Sequence, residues 1–332
     1  MGAQGGEATV ERAALAFVSH ADCGRHDTGW EHPEHVGRLR AVTRALRDAP
    51  DLFTDVRHHE GRHATADELA LAHAPAYVAA VRAIAEHGGG RLDADTVVSA
   101  GSWDAATAGV GCALDAVDLV VGGEAARAFV AVRPPGHHAL RDSAMGFCLF
   151  GNVALAAHYA RARHGLDRVL IVDWDVHHGN GTQALVQDEP DIRFVSMHQW
   201  PWYPGTGAAD DRGPNGSVWN VPMAPGLPAA RYVDALERAI DAATRAWTPS
   251  LVLISAGFDS LAGDPLGGFT LEMEHVDALT RSVCARADAW CGGRVVSALE
   301  GGYAPARVGE ACVTHMRALR GDAAGDSPRG HV

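Results

Sequence analysis

Residues 168–183 read RVLIVDWDVHHGNGTQ, an apolar, largely β-branched run that passes straight into two acids and two histidines. An uninterrupted apolar run of this kind reads as a strand buried on both faces, the type found in parallel sheets. Outward from it, similar short runs are expected as strands at 14–19 (ALAFVS), 128–133 (AFVAVR), 168–173 (RVLIVD), 193–197 (RFVSM), 251–255 (LVLIS) and 294–299 (RVVSAL). Between them lie segments of helical period, clearest at 35–48, 66–87, 102–121, 152–164, 228–247, 271–290 and 304–319. Strands alternating with long helices indicate βαβ units, hence an α/β fold around a parallel sheet.

With 332 residues, 47 % of them apolar and 21 % charged, the composition is globular rather than disordered or coiled-coil. No internal repeat or Pro/Gly/Ser-rich linker divides the chain, so one domain over 1–320 is expected, with a frayed tail, GDAAGDSPRGHV, over 321–332. The loops 88–101 and 199–227 are long and rich in Gly, Pro and aromatics, which suits the walls of a binding site.

The net charge is −13, and all 28 basic residues are Arg, with no Lys in the chain. That balance argues against nucleic acid as a partner, because duplex binding wants a basic face. Six cysteines without CxxC spacing suit a reduced interior, so a cytoplasmic location is expected. No apolar run reaches the ~18–20 residues that span a bilayer, and the start lacks a basic leader region, so no membrane partner is expected. A homo-oligomer is left open.

Five of the six expected strands run into a polar cluster: RPPGHHA (133–139), DWDVHHGNG (173–181), HQWPWYPGTG (198–207), GFDSLAGDP (257–265) and LEGGY (299–303). Open parallel sheets bind ligands outside the carboxyl ends of their strands. Asp173, Asp175 and His177 stand at i, i+2 and i+4, which in extended backbone would share one face. With Asp259 from another strand end, Asp175 and His177 offer two oxygens and a nitrogen to a divalent cation, leaving a position for water. In isolation DxDxH is also a solvated loop; beside four other clusters it reads as a metal site. His137 and His138 follow a stiff Pro-Pro-Gly turn that brings both rings toward such a site, where imidazole serves as acid or base. Tyr303, after two glycines, is read as free to swing its phenol toward a developing oxyanion.

These motifs, with GFCLF (146–150), HPE near Arg38-Leu39 and DADTVVS (93–99), resemble the zinc-dependent histone deacetylase and acetylpolyamine amidohydrolase family, nearest its class II branch. The resemblance covers nearly the whole chain. It implies a three-layer, arginase/deacetylase-like α/β fold with a central parallel sheet of about eight strands. It makes Asp175, His177 and Asp259 the ligands of one Zn2+, Tyr303 the oxyanion donor, His138 the general base and then acid, and His137 its electrostatic partner. Asp173 stands behind His137, and Asn180 falls where class I members carry a second aspartate, which favours His138 as a base. A potassium ion would be held by Asp173, main-chain oxygens of Asp175, His177 and Met197, and the Ser196 hydroxyl. Phe147 and Tyr203 match the walls of an acyl-lysine tunnel, and the Gly146 carbonyl would receive the substrate amide N–H.

Gly37, Gly151 and the heavier aromatic loop 199–207, with Trp200 and Trp202, depart from the family pattern and bear on the entrance rather than the metal site. Leu266 occupies the position of a glutamate gate in a polyamine-selective branch, so acyl-lysine is preferred over an acetylpolyamine or another small acylated amine. A ureohydrolase needs further bridging carboxylates, but Gly179, Asn180 and Leu261 stand at the neighbouring positions. A non-catalytic scaffold is disfavoured because every residue needed for turnover is present.

Overall fold

The computed structural model describes residues 12–323. In chain order the strands are β1 (Ala13–Ser19), β2 (Arg57–Glu60), β3 (Gly89–Arg91), β4 (Val97–Ser99), β5 (Ala125–Val130), β6 (Val169–Asp173), β7 (Ile192–Gln199), β8 (Val218–Met223), β9 (Leu251–Ala256) and β10 (Val295–Leu299). The helices are α1 (Gly37–Arg47), α2 (Pro50–Asp55), α3 (Ala66–Leu69), α4 (Pro75–Glu86), α5 (Ser102–Val121), α6 (Asn152–His164), α7 (Asn180–Val186), α8 (Ala229–Thr244), α9 (Met273–Cys291) and α10 (Pro305–Arg320). Eight strands form one parallel sheet in the order β2-β1-β5-β10-β9-β6-β7-β8, and β3 and β4 make a separate antiparallel hairpin.

Side-chain alternation divides the core in two. Val169 and Ile171 of β6 join Ala16 and Val18 of β1 in one apolar layer with residues of α4, α5 and α6. Leu170 and Val172, with Leu15 and Phe17, face the opposite layer formed with α1, α2, α8, α9 and α10. Helices thus cover both faces, which explains why the central strands β6, β9 and β10 are buried at every position and mostly apolar. The six cysteines are buried and unpaired. No helix among the described residues is long and apolar enough to cross a membrane.

The structure corrects the sequence reading in several places. β2 and β8, the two sheet edges, were not expected as strands. Their sequences, RHHE and VWNVPM, carry charge, Asn or Pro, which an edge tolerates because only one side must be paired. The helix expected over 66–87 breaks into α3 and α4, because Ala74 before Pro75 is extended and Pro75 starts a new helix. The strand expected over 128–133 runs from 125 to 130, and the loop 88–101 contains the β3–β4 hairpin. In the expected tail, Gly321 adopts φ +94° and caps α10; residues 324–332 lie outside the described residues.

A buried ion cluster ties the site-bearing loops to this frame. Arg133, three residues past β5, forks onto Glu34 at 2.6 and 2.7 Å, and Arg38 of α1 reaches the same carboxylate at 2.9 Å. All three side chains are fully buried. Burial would raise the Glu34 carboxyl, but the charges of Arg133 and Arg38 outweigh it and hold the group at about 2. His73 is a different kind of anchor: Nδ1 donates to the Leu140 carbonyl at 2.8 Å, and Nε2 accepts from the Gly151 N–H at 2.9 Å. Only the neutral ring satisfies both bonds, and burial lowers its pKa to about 4.

Glu34→Gln strands two buried guanidiniums and is expected to cost about 3–5 kcal/mol, read from urea unfolding. His73 binds a proton more readily unfolded than folded, so its contribution to stability is complete above pH 6.5 and is lost as pH falls toward about 4. Glu34, with a folded pKa below its ordinary 4.5, adds a second loss from pH 4.5 down toward 2. The stability that His73 supplies, read as the difference in unfolding free energy between the wild type and His73→Ala, should therefore shrink as pH falls from 6.5 toward 4; a difference that stays constant over that window would contradict this account.

Candidate active site

Because the eight strands are parallel, the carboxyl ends of β5, β6, β7, β9 and β10 lie along one edge, and the five polar clusters meet there. β6 ends at Asp173, so residues 174–177 do not continue as a strand and the shared face expected for Asp173, Asp175 and His177 does not form. Instead the chain turns: Asp173 Oδ1 accepts the Asp175 N–H at 3.0 Å, and Asp175 Oδ1 accepts the His177 N–H at 2.9 Å. Asp173 is left facing His137, while Asp175 and His177 converge on Asp259 from the loop after β9.

Asp175, His177 and Asp259 present donor atoms that all lie within 4.8 Å of one another, and all three residues are buried. His177 Nδ1 lies 3.0 Å from Asp175 Oδ1 and 3.2 Å from Asp259 Oδ2. Asp259 Oδ2 is a buried carboxylate oxygen with no hydrogen-bond partner. A Cβ at Gly301 would collide with Oδ2 of both Asp259 and Asp175, so the glycine keeps that side of the trio open. Burial, and then the charge of Asp175, push Asp259 up to about 7. Burial would lower His177, but its hydrogen bond to Asp175 and the nearby Asp259 carboxylate raise it to about 10. Two buried acids that repel each other and hold a proton on their imidazole are a site built for a cation, and the O, O, N donor set fits a divalent metal. A second trio, His20, Asp22 and His63, is partly exposed; its carboxylate is shared with Arg25, and His20 Nδ1 is taken by the Asp22 N–H.

The tandem histidines stand side by side, ring centroids 4.0 Å apart, but take different partners. His137 Nδ1 donates to Asp173 Oδ2 at 3.1 Å; burial would lower its pKa, but Asp175 and Asp173 raise it well above 6.5. His138 Nδ1 lies 2.6 Å from Oδ1 of Asn180, the first residue of α7. Burial, together with the charges of His137 and His177, holds His138 well below 6.5, in the neutral form that accepts a proton.

Tyr303 is not free to swing. Its N–H donates to Asp264 Oδ2 at 2.6 Å, the Gly301 N–H donates to Asp175 Oδ2 at 2.8 Å, and Arg38 binds the carbonyls of Glu300 and Gly302. Gly302 takes φ +116°, which a side chain would resist. Arg38 also sits 5.0 Å from the Tyr303 ring centre. Burial pushes the phenol well above 10, so it stays a protonated donor.

A cavity of about 230 Å³ opens over these groups, lined by His138, His177, Gly146, Phe147, Tyr203, Leu266, Tyr303, Asp95 and Trp202. A larger hollow of about 740 Å³, beside α1 and β2, contains none of them. Phe147 holds φ +69°, a left-handed conformation costly for an aromatic residue, and its N–H is fixed by the Thr96 hydroxyl at 3.1 Å. Tyr203 stands edge-on to His138 at 5.2 Å. Deeper, Asp173 and Ser196 are register partners on β6 and β7, both fully buried, with Met197 next along β7.

Residue types alone did not single out Glu300, Asp264 or Asp95. Each is a carboxylate in a loop with no metal-ligand spacing of its own, and only tertiary contacts distinguish it from a solvated one. Trp202, noted as a departure, bridges two loops: its indole N–H donates to the Leu266 carbonyl at 2.9 Å while the side chain is 45 % exposed.

A family model described as histone deacetylase domain matches residues 32–319. An uncharacterized protein of Synechocystis is 43 % identical over 87 % of this chain and 94 % of its own length. A histone deacetylase-like amidohydrolase of Pseudomonas aeruginosa is 39 % identical over 84 % of this chain and 73 % of its own. The human polyamine deacetylase HDAC10 is 37 % identical over 93 % of this chain, which spans 48 % of that protein. The crystal structure of the HDA15 HD domain matches with TM-score 0.88 and 34 % identity, over 94 % of this chain and 89 % of that one.

Asp259→Asn should weaken binding of a divalent cation to the metal-free protein by more than about 100-fold, beyond the effect of losing a residue that merely supports a ligand. Calorimetric titration checks it, and unaltered affinity would remove Asp259 from the ligand set.

Proposed function

The chain belongs to the histone deacetylase family, and from that premise we propose that it is a zinc-dependent amidohydrolase that removes acetyl or another short acyl group from an amine, acyl-lysine foremost. The observation that carries this reading is the cation-seeking trio Asp175, His177 and Asp259 at the base of a cavity whose walls also hold His138 and Tyr303. A zinc ion held by that trio would lower the pKa of its water toward ~7 and polarise the acyl carbonyl.

The remaining work falls to the chain's own residues. Phe147 and Tyr203 flank the substrate's alkyl stem, and the Gly146 carbonyl accepts the amide N–H. His138, neutral and oriented by Asn180, takes the proton of the attacking water and then delivers it to the leaving amine. His137, paired with Asp173, supplies a fixed positive charge beside it. The Tyr303 phenol donates to the oxyanion that develops on the acyl group. Asp173, the Ser196 hydroxyl and main-chain oxygens of Asp175, His177 and Met197 hold a potassium ion under the site, a reading supported by the burial and register of Asp173 and Ser196. The six buried free cysteines support a reducing, cytoplasmic setting.

One observation favours a second reading, hydrolysis of acetylpolyamines or another small acylated amine: the Asp95 carboxylate lining the cavity would attract a cationic tail. Against it stands Leu266, a neutral side chain lining the same cavity.

Acetyl-lysine peptide, acetylputrescine and acetylspermidine assayed side by side should give the highest kcat/KM with the peptide, and a chelator should abolish turnover. No release from any of the three at full metal loading would refute the amidohydrolase reading. Tyr303→Phe should lower kcat by ~10² to 10³ with the metal retained; near-normal turnover would remove its assigned role.

A further inference from the structure

Glu300 is the first residue past β10, and the chemistry set out above gives it no task. It is fully buried. Its Oε2 accepts the N–H groups of Gly136, at 2.6 Å, and His137, at 3.2 Å, while Oε1 has no hydrogen-bond partner. A carboxylate drawn out of water with one oxygen idle is a poor device for stability alone, because burying charge without full hydrogen bonding is costly. What distinguishes it is where its two bonds go. They grip the backbone that carries the tandem histidines, on a strand end that the chain reaches 163 residues earlier.

The other end of Glu300 is equally fixed. Arg38, pinned by Glu34, binds its main-chain carbonyl, and the next three residues supply the Gly301 N–H to Asp175, the Gly302 carbonyl to Arg38 and the phenol of Tyr303. One short stretch therefore touches the acid–base segment, a metal-ligand candidate and the oxyanion donor. Nothing else among the described hydrogen bonds joins the Gly136–His137 backbone to the Tyr303 loop.

We propose that Glu300 is a positioning residue for the tandem histidines: its carboxylate ties the Gly136–His137 backbone to the turn bearing Tyr303, so that the proton-transfer imidazole and the phenol keep one spacing across the reacting acyl group. The inference rests on the amidohydrolase reading. It acts through geometry, and a misplacement of about 1 Å in such a constellation costs up to ~10²-fold in rate.

The test uses the zinc-loaded full chain with a fluorogenic acetyl-lysine peptide and compares Glu300→Met, similar in length but unable to accept these bonds, with Glu300→Gln, whose amide oxygen accepts both. Glu300→Met should lower kcat by about 10- to 100-fold with KM within about twofold and zinc content unchanged, and Glu300→Gln should recover kcat to within about threefold of the wild type. Should the Met variant not fold, Glu300→Asp, one methylene shorter, should give the same loss in kcat alone. An undiminished kcat in Glu300→Met or Glu300→Asp, a loss expressed in KM or in zinc content, or a Glu300→Gln enzyme as impaired as the Met or Asp variant would each overturn the assignment. A wild-type chain that binds zinc but hydrolyses nothing overturns the amidohydrolase reading itself, and this inference with it; an active wild type confines any failure to Glu300.

Discussion

Two carboxylates, Asp175 and Asp259, are held together out of water, and most of the site follows from what that arrangement demands. Like charges at such range in a dry crevice destabilise the fold unless a positive charge lies between them. Without a metal the His177 proton serves, which is why that imidazole is held so firmly protonated. Glycines at 257 and 301 keep side chains out of the space around the acids, and both carboxylates orient themselves on backbone N–H groups of neighbouring turns. The trio is thus preorganised for a cation by main-chain geometry rather than by side-chain flexibility.

The parallel sheet makes this convergence inexpensive. Strand ends from widely separated parts of the chain are delivered to one edge, and each needs only a few further residues to reach the crevice. Those residues cannot form regular structure, so their backbone groups are satisfied by buried charges instead. Glu34 with Arg38 and Arg133, Asp264 under Tyr303, and Glu300 under His137 are all carboxylates or guanidiniums doing the work of absent ladder bonds. This explains why so much buried charge gathers on one side of the molecule.

Central strands β6, β9 and β10 were legible because burial on both faces leaves a short run that is almost wholly apolar. The edges β2 and β8 were not, since a strand paired on one side need not be apolar, and RHHE carries no pattern of its own. α7 was hidden by the Gly-Asn-Gly that opens it. In the site, Asp175, His177, Asp259 and the tandem histidines were legible from residue type and spacing, although the turn that aims them is not the extended face their spacing suggests. Tyr303 was recognisable, but its immobility was not, because Arg38 and Asp264 reach it from distant segments. Such contacts leave no local periodicity; a lone acid beside glycines looks the same whether it faces water or an amide.

The bond between two of the cavity's loops separates backbone from side chain. Trp202 grips the main-chain carbonyl of Leu266, not its side chain. Position 266 can therefore exchange one residue for another while the brace between the two loops survives: the side chain that lines the cavity and the bond that holds its backbone in place are independent of each other.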